Sequence, residues 1–165
     1  MTNAKYPFTR TEVRLILIAA GSLSFNYNNL FSGLRPTRVV IGFVDSEAVA
    51  RGYTLDPFNF QHFSLSQITL KLNQVPVSGN IMQLNYNEPG RTMLPAFTSM
   101  FEVTNKLMRD AGNALSRYDV PECSYYCFDV EPNFIEEGSY LKLIKQGTCS
   151  VEAAFQKVLK KQQLV

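Results

Sequence analysis

The chain has 165 residues, enough for one domain that buries roughly two-thirds of its unfolded surface. Hydrophobic residues make up 45% and charged residues 18%, so the composition is that of a globular protein with few charges, part of whose surface is available to partners. The net charge is +2 and the basic residues are scattered, which excludes a dedicated nucleic-acid binder. The apolar run from Leu15 to Ala20 is shorter than the ~20 residues that cross a bilayer, and the N-terminus lacks a signal-peptide core. We therefore predict neither secretion nor membrane insertion.

The first third of the sequence predicts two strands separated by a loop. In residues 8–20 every second residue is apolar, and one face carries Val13, Leu15, Leu17 and Ala19. The other face also becomes apolar near its end, at Ile16 and Ile18. Residues 22–34 mix Asn, Ser and aromatic side chains, which predicts a loop with a short extended piece at 25–27. Residues 38–45, rich in Val and Ile, predict the second strand.

The middle of the chain predicts a hairpin followed by a helix. Alternating leucines and isoleucines across residues 63–77, interrupted at Asn73 and Gln74, are typical of two strands joined by a tight turn. Residues 95–111 change to helical spacing, with Pro95 in the first turn and Gly112 at the exit. The predicted buried face of this helix consists of Phe97, Phe101, Thr104, Met108 and Ala111.

The last third returns to strand patterns, at residues 123–130, 140–145 and from Thr148 onward. Many short strands with one intervening helix predict a mainly β protein, an antiparallel sandwich or barrel. The segment from Val151 is ambiguous, because its apolar residues fall at helical spacing and its Ala, Gln and Lys content favours a possible C-terminal helix. A strand is the alternative.

The side chains that carry chemistry do not form a complete catalytic set. We interpret His62 as a core or half-buried structural histidine, since a general base needs a nucleophile or an orienting carboxylate nearby. A zinc site that combines it with Cys123 and Cys127 lacks a fourth ligand. The acids Asp129, Glu131, Glu136 and Glu137 resemble a glycosidase pair, but Pro132 and Gly138 favour a solvated turn. We expect no catalytic residue, no cofactor and no metal.

Three further groups favour structural interpretations. The three cysteines are an odd set, and if Cys123 and Cys127 share a strand their Cα atoms lie about 13 Å apart, too far for a disulfide. Lys157, Lys160 and Lys161 keep the C-terminal segment soluble, and contact with an acidic partner or a nucleic acid is the alternative. Phe58, Phe60 and Phe63, which crowd around His62, are interpreted as core or subunit contact rather than a ligand platform.

Five motifs together resemble the major capsid protein of Polinton/Maverick elements and the related adintoviruses. They are RVVIGFVDSEA at residues 38–48, PFNFQHF at 57–63, GNALSRYD at 112–119, CFDVEP at 127–132 and LIKQG at 143–147. The motifs occur in the order and spacing of that family and span most of the chain, from about Tyr6 to Phe155. PFNFQHF and LIKQG are the most specific.

This resemblance implies a jelly-roll sandwich in which the helix at about 95–111 is inserted between strands. Such capsid proteins carry two barrels in tandem and form trimeric capsomers that tile an icosahedral shell. The whole chain, 1–165, would be a single jelly-roll domain that matches the C-terminal barrel and lacks its last strand, because the family continues past KKQQLV. The resemblance also favours a strand as far as Phe155.

The functional expectation is therefore a structural protein, a capsid subunit or a truncated, host-domesticated relic of one. It would self-associate, as a homotrimer if capsid function is retained, with no specific nucleic acid, membrane or small-molecule partner. We expect it in the virion if viral, and otherwise inside the cell. The alternative is a non-catalytic jelly-roll module that binds carbohydrate or peptide in a host cell.

Overall fold

A computed structural model of the chain describes residues 10–50, 52–77, 81–87, 90–104, 106, 112, 115–116, 118–121, 123–130 and 146–165. Within these residues the protein is mainly β with antiparallel sheets, as predicted, and it has two helices, of which only α2 corresponds to a predicted one. The elements in chain order are β1 (Leu17–Ile18), β2 (Ser24–Leu34), β3 (Arg38–Gly42), β4 (Val44–Asp45), α1 (Ser46–Val49), β5 (Leu65–Leu72), β6 (Val75–Pro76), β7 (Met82–Gln83), α2 (Leu94–Val103), β8 (Tyr125–Asp129), β9 (Gln146–Phe155) and β10 (Gln163–Leu164).

One layer is a five-stranded sheet organised around β9. The strand order is β2-β9-β5-β6, and β7 also pairs with β5. Val151 of β9 is paired with Tyr27 of β2 on one side and with Leu70 of β5 on the other. A central strand whose two edges are both paired contributes most of the hydrogen bonds of such a sheet.

The opposite layer consists of two small sheets that share one chain segment. β3 pairs with β8, and β4 pairs with β10, which in turn pairs with β1. Only Phe43 separates β3 from β4, so residues 38–45 take part in both pairings, in the range predicted as one strand. The two layers meet at Phe43, which is fully buried. Its ring contacts Tyr126 of β8 at 5.8 Å and Phe155 of β9 at 5.6 Å, both edge-on.

The predicted hairpin is present, and its turn explains its register. Asn73 and Gln74 connect β5 to β6, and both have positive φ angles of 49° and 70°. A two-residue loop with both residues in the left-handed region matches the twist of antiparallel strands. The Asn73 side chain also accepts a hydrogen bond from the amide of Thr148 at 3.0 Å, which ties the turn to β9.

The helix α2 is shorter than predicted, and it buries a different face. It ends at Val103, where the Lys106 amide bonds back to the Phe101 carbonyl at 2.9 Å and closes the last turn. The predicted positions Met108 and Ala111 lie outside the described residues. The side chains buried from α2 are Ala96, Ser99, Met100 and Val103, one position off the predicted row. The small residues Ala96 and Ser99 allow close approach to neighbouring elements, whereas Phe97 and Phe101 pair edge-on on the flank at 4.9 Å.

Two predictions for the N-terminal part are wrong. Of residues 22–34, predicted to be mostly loop, Ser24–Leu34 form the 11-residue strand β2, with an irregularity between Tyr27 and Phe31. Pairing with β9 compensates for the poor strand propensity of Ser and Asn. Among the described residues of the first predicted strand only Leu17–Ile18 is a strand, extended by the pairing of Ile16 with Val165, and Ile18 is buried whereas Leu15 and Leu17 are exposed.

The C-terminal segment is a strand where local propensity favours a helix. β9 extends to Phe155, so the possible helix from Val151 is absent, because tenths of a kcal/mol of helix propensity per residue cannot outweigh two paired edges. After β9 the chain crosses to the other layer, where Gln163 pairs with Ile18 of β1 and with Asp45 of β4. The C-terminal residues therefore occupy the middle position of a three-stranded sheet.

We expect Phe43→Ala to lower the free energy of unfolding by about 3–5 kcal/mol, because removal of the ring leaves a cavity where the two layers meet. Val40→Ala on the same strand is the matched control, since Val40 is 57% exposed, and it should cost less than about 1 kcal/mol. Urea unfolding followed by tyrosine fluorescence measures both. Equal losses for the two variants would contradict the assignment of Phe43 as the contact between layers.

Candidate interaction surface and the His62 site

An exposed apolar row lies along the N-terminal segment at the edge of one sheet. Val13, Leu15 and Leu17 are 82%, 63% and 55% exposed, while Ile18 is buried and Ile16 packs against the core. Among the described strands, β1 has a partner on one side, β10, and none on the other. An apolar row on an open sheet edge is typical of a surface that another protein covers. We call Val13, Leu15 and Leu17 the edge row.

The backbone groups of Leu17 point towards the open side of the sheet. Ile16 and Val165 exchange two hydrogen bonds, at 2.9 and 3.0 Å, so they form a hydrogen-bonded antiparallel pair. Since such pairs alternate along a ladder, the amide and carbonyl of Leu17 point away from β10. Before this point, the Arg14 guanidinium lies over the Phe31 ring at 5.2 Å and fastens the segment to β2. Leu17 thus offers an exposed apolar side chain beside backbone groups that point away from β10.

A second exposed apolar group lies in the loop between α1 and β5. Tyr53 is fully exposed, Phe58 is 74% exposed and Leu55 is 42% exposed. The carboxylate of Asp56 accepts a hydrogen bond from the Phe58 amide at 2.8 Å, which forms a local turn that holds Phe58 outward. We call Tyr53, Leu55 and Phe58 the loop patch. Phe58 is therefore not a core residue, and the alternative of a subunit contact stays a prediction.

The phenylalanines predicted to cluster therefore have different environments. Phe58 is exposed, whereas Phe60 packs against β3 and holds the loop in place. The Phe60 ring covers Gly42 of β3, where an added Cβ would lie 2.6 Å from the ring carbon Cδ1. It also contacts Tyr125, the cross-strand partner of Gly42, at 5.0 Å. The Gln61 amide donates to the Phe43 carbonyl and the Ser124 amide donates to the Phe60 carbonyl, at 2.9 and 3.1 Å. The loop patch consequently projects from a rigid base.

His62 is half-buried, as predicted, and it lies in a stack with Tyr86. The two rings are 4.1 Å apart and nearly parallel, and the Nδ1 atom of His62 accepts a hydrogen bond from the Ser64 amide at 2.8 Å. Burial, followed by the charges of Arg91 and Lys157, lowers the pKa of His62 below its ordinary value. The ring borders an open depression of about 440 Å³, lined by Asn59, Gln61, His62, Phe63, Ser64 and Pro121.

A buried pair of tyrosine hydroxyls lies beneath this stack. The Tyr86 and Tyr126 hydroxyls are 2.8 Å apart, and both interact with the Ser124 hydroxyl. Burial raises the pKa of both phenols, so they stay protonated and serve as donors and acceptors of structural hydrogen bonds. Because Tyr86 follows β7 and Tyr126 lies in β8, the pair joins the His62 stack to the second layer.

The other candidate residues are dispersed. Cys123, Cys127 and Cys149 are free thiols, and burial raises the pKa of the Cys127 thiol to about 11. In the part of the chain that the structure describes, no three His, Cys, Asp or Glu side chains are grouped to hold a metal, and no carboxylate hydrogen-bonds to His62. Asp129 is paired in register with Arg38. Glu131, Glu136 and Glu137 lie outside the described residues.

The C-terminal lysines do not act as one group. Lys161 forms a salt bridge with Glu47 of α1 at 2.8 Å, and this hydrogen bond raises the pKa of Lys161. Lys157 faces the His62 site instead, and Lys160 is exposed. Since both partners of the Lys161 bridge are exposed, the bridge contributes little to stability.

Comparison with known proteins finds one distant relative. Over 155 residues the chain is 23% identical to the uncharacterized protein F54H12.2 of Caenorhabditis elegans. The match covers 93% of this chain and 36% of the relative, so the chain spans about a third of that protein's length. No protein-family model matches the chain, and no solved structure matches it. No helix among the described residues has the length and hydropathy needed to span a membrane.

We expect Gly42→Ala to destabilise the protein by about 1–3 kcal/mol, because the new methyl group forces Phe60 off β3. A shift in the urea midpoint and a change in the ring signals of Phe60 measure this effect. Gly112→Ala is the control, since an added Cβ there meets nothing within 4 Å. Unchanged Phe60 signals in Gly42→Ala would refute the close contact.

The tyrosine hydroxyl pair is open to a double-mutant cycle. Tyr86→Phe and Tyr126→Phe should each lower the free energy of unfolding by about 1 kcal/mol, because each leaves a buried hydroxyl without its partner. The double variant should cost clearly less than the sum. Tyr53→Phe, which changes a fully exposed hydroxyl, should have no effect. Additive losses would show that the two hydroxyls do not interact.

Proposed function

We propose that this chain is a non-catalytic structural subunit that acts by self-association, a jelly-roll domain related to the C-terminal barrel of Polinton/Maverick major capsid proteins. The observation that carries the proposal is the edge row, three large apolar side chains exposed at alternate positions of the segment that leads into the edge strand β1. A protein that stayed alone in solution would gain nothing from this arrangement and would risk uncontrolled edge pairing.

The capsid-like motifs support the proposal through their positions in the fold. Residues 38–48 form β3, β4 and α1, which surround Phe43, the contact between the layers. Residues 57–63 form the anchored base of the loop patch. One motif thus contains the Phe43 contact in the core, and another lies at the loop patch. In a catalytic protein we would expect the motifs to be concentrated around a reaction site.

The length of the relative is consistent with a tandem arrangement. Because the match covers only 36% of the relative, that protein is more than twice as long as this chain. The remainder has room for a second domain of similar size, as a double-barrel subunit requires. We propose that this chain corresponds to one barrel of such a subunit.

The C-terminal residues lie in the middle of a three-stranded sheet. β10 pairs with β4 and with β1, and thereby provides partners for both. We propose that this pairing stabilises the C-terminal end of the domain that self-associates. The location that follows is the virion for a viral gene product, or the cell interior for a host-domesticated one.

A closed trimer requires two different surfaces. In a ring, each subunit uses one patch to contact a different patch of its neighbour, whereas a two-fold dimer uses the same patch twice. The edge row and the loop patch are two exposed apolar groups on separate parts of the fold. We propose that the edge row of one copy contacts the loop patch of the next copy.

Sedimentation velocity and native mass spectrometry over a concentration series test self-association. The unmodified protein should form trimers, and Leu15→Lys should give monomers, because it places a charge in the middle of the edge row. Val75→Lys is the matched control, since Val75 is 66% exposed at the edge of the other sheet, and it should leave the trimer intact. A strict monomer at high concentration of the unmodified protein would refute the proposal.

A mixing experiment separates the ring from a two-fold dimer. In the ring, Leu15→Lys and Phe58→Lys each give monomers, but a mixture of the two gives a heterodimer, because one intact contact remains between them. If the edge row pairs with itself, Phe58→Lys should associate as the unmodified protein does. A heterodimer peak in the mixture therefore supports the ring, and its absence with both variants folded excludes it.

A carbohydrate- or peptide-binding module is the second candidate, and the exposure of Phe58 favours it, because exposed aromatic rings are common contacts for both ligands. Titration calorimetry with oligosaccharides and peptide libraries distinguishes the two functions. Binding that Phe58→Ala abolishes, with no self-association, would support the module instead.

A further inference from the structure

The beginning of β5 depends on a strained turn. Phe63 and Ser64 both adopt positive φ angles, 44° and 55°, in a region that side chains with a Cβ rarely occupy. Three hydrogen bonds of 2.8 Å hold the turn: the Ser64 amide to His62 Nδ1, the Leu65 amide to the His62 carbonyl, and the Gln156 amide to the Ser64 carbonyl. Strain of this kind persists only where surrounding contacts impose it.

One of these three bonds depends on the protonation state of His62. An imidazole nitrogen accepts a hydrogen bond only while it carries no proton, so the bond from the Ser64 amide requires the neutral ring with its proton on Nε2. Protonation places an N–H group opposite the amide N–H. The same side chain to residue i+2 geometry occurs at Asp45, Asp56 and Asn85, whose oxygens accept from the amides of Glu47, Phe58 and Asn87. At position 62 the side chain that accepts from the amide two residues on is a histidine, which can be protonated. At the other three positions the acceptor is Asp or Asn.

The surroundings of His62 disfavour its charged form. Tyr86, which follows β7, covers one face of the ring, and its hydroxyl is engaged with Tyr126. Two charged groups in the described chain act on the ring, and both are cations. They are Arg91, from the segment before α2, and Lys157, from the segment after β9. Only the stack on Tyr86 favours the cation, through its π system. Burial and the two cations oppose it, and they lower the pKa of His62.

We propose that the turn from His62 to Leu65 is an acid-sensitive latch, which neutral His62 holds closed and which opens when the imidazole is protonated. Opening breaks the bond to the Ser64 amide, lets the left-handed residues relax and frees the beginning of β5 from Gln156. The loop that bears Phe58 enters β5 through this turn, so the latch couples pH to the mobility of the loop patch.

The direction of the pH effect follows from linkage. The pKa of His62 in the folded protein lies below the ordinary value of 6.5, so the unfolded chain takes up the proton first as the pH falls. The contribution of His62 to stability is complete above pH 6.5 and is lost as the pH falls from there to the folded pKa. Below the folded pKa the loss is complete and the curve becomes level. Each pH unit of separation between the two pKa values corresponds to roughly a tenfold change in the folding equilibrium.

His62 is the only histidine in the chain, so its ring signals report the titration without ambiguity. An NMR titration should give a pKa below 6.5, and hydrogen exchange at the Ser64 and Leu65 amides, corrected for intrinsic rates, should accelerate as the ring is protonated. The matched variant is His62→Asn, because its side-chain oxygen can accept from the Ser64 amide as Asn85 does for Asn87. It should remove the dependence of the melting temperature on pH across this window while preserving the fold.

Two outcomes would overturn the latch. A pKa at or above 6.5 would show that stacking on Tyr86 favours the cation more than its surroundings oppose it. Protection of the Ser64 amide that stays constant while the ring titrates would show that the bond does not control the turn. The first measurement uses the unmodified protein, so the proposal stays testable even if His62→Asn folds poorly.

Discussion

The packing of Phe43 between Tyr126 and Phe155 is the contact on which the rest of the fold depends. Phe43 lies at the point where β3 gives way to β4, so the same residue ends one sheet pairing and precedes the other. Its carbonyl accepts the Gln61 amide, and this bond helps to place the loop that carries Phe58, Phe60 and His62. The core contact, the loop patch and the His62 site therefore all depend on Phe43.

The sequence predicts the parts of this fold in which local pattern and long-range packing agree. Residues 38–45 and the hairpin at Asn73 and Gln74 combine strand propensity with a turn that needs little tertiary support. The segment from Val151 and the strand β2 have the opposite character, since their strand conformation depends on pairing: β2 pairs with β9, and β9 pairs with both β2 and β5. Their Ala, Gln, Ser and Asn side chains carry no local signal for such a pairing, so it could not be predicted from either segment alone.

The errors at the edge row and at α2 have a common cause. In both segments two apolar faces compete, and the sequence pattern does not tell which one is buried. At β1 the branched residues Ile16 and Ile18 face the core and the leucines remain outside; the second apolar face noted in the sequence was the available signal. In α2 the smaller residues Ala96 and Ser99 are buried while the phenylalanines flank them, because the distance to neighbouring elements, not hydrophobicity, selects the face. The sequence of a single segment does not specify which elements pack against it or how closely they approach.

The position of the edge row depends on very few contacts of its own. β1 and β10 are two residues long, and the pairing between Ile16 and Val165 extends them by one residue on each side. Short ladders of this kind are marginal in isolation, so the edge row is held by what surrounds it: Ile18 in the core, Arg14 on Phe31, and β4 on the far side of β10. A partner that covers the edge row would add a second paired edge to β1. Self-association and ordering of the N-terminal segment would then stabilise each other, because each supplies the contacts that the other lacks.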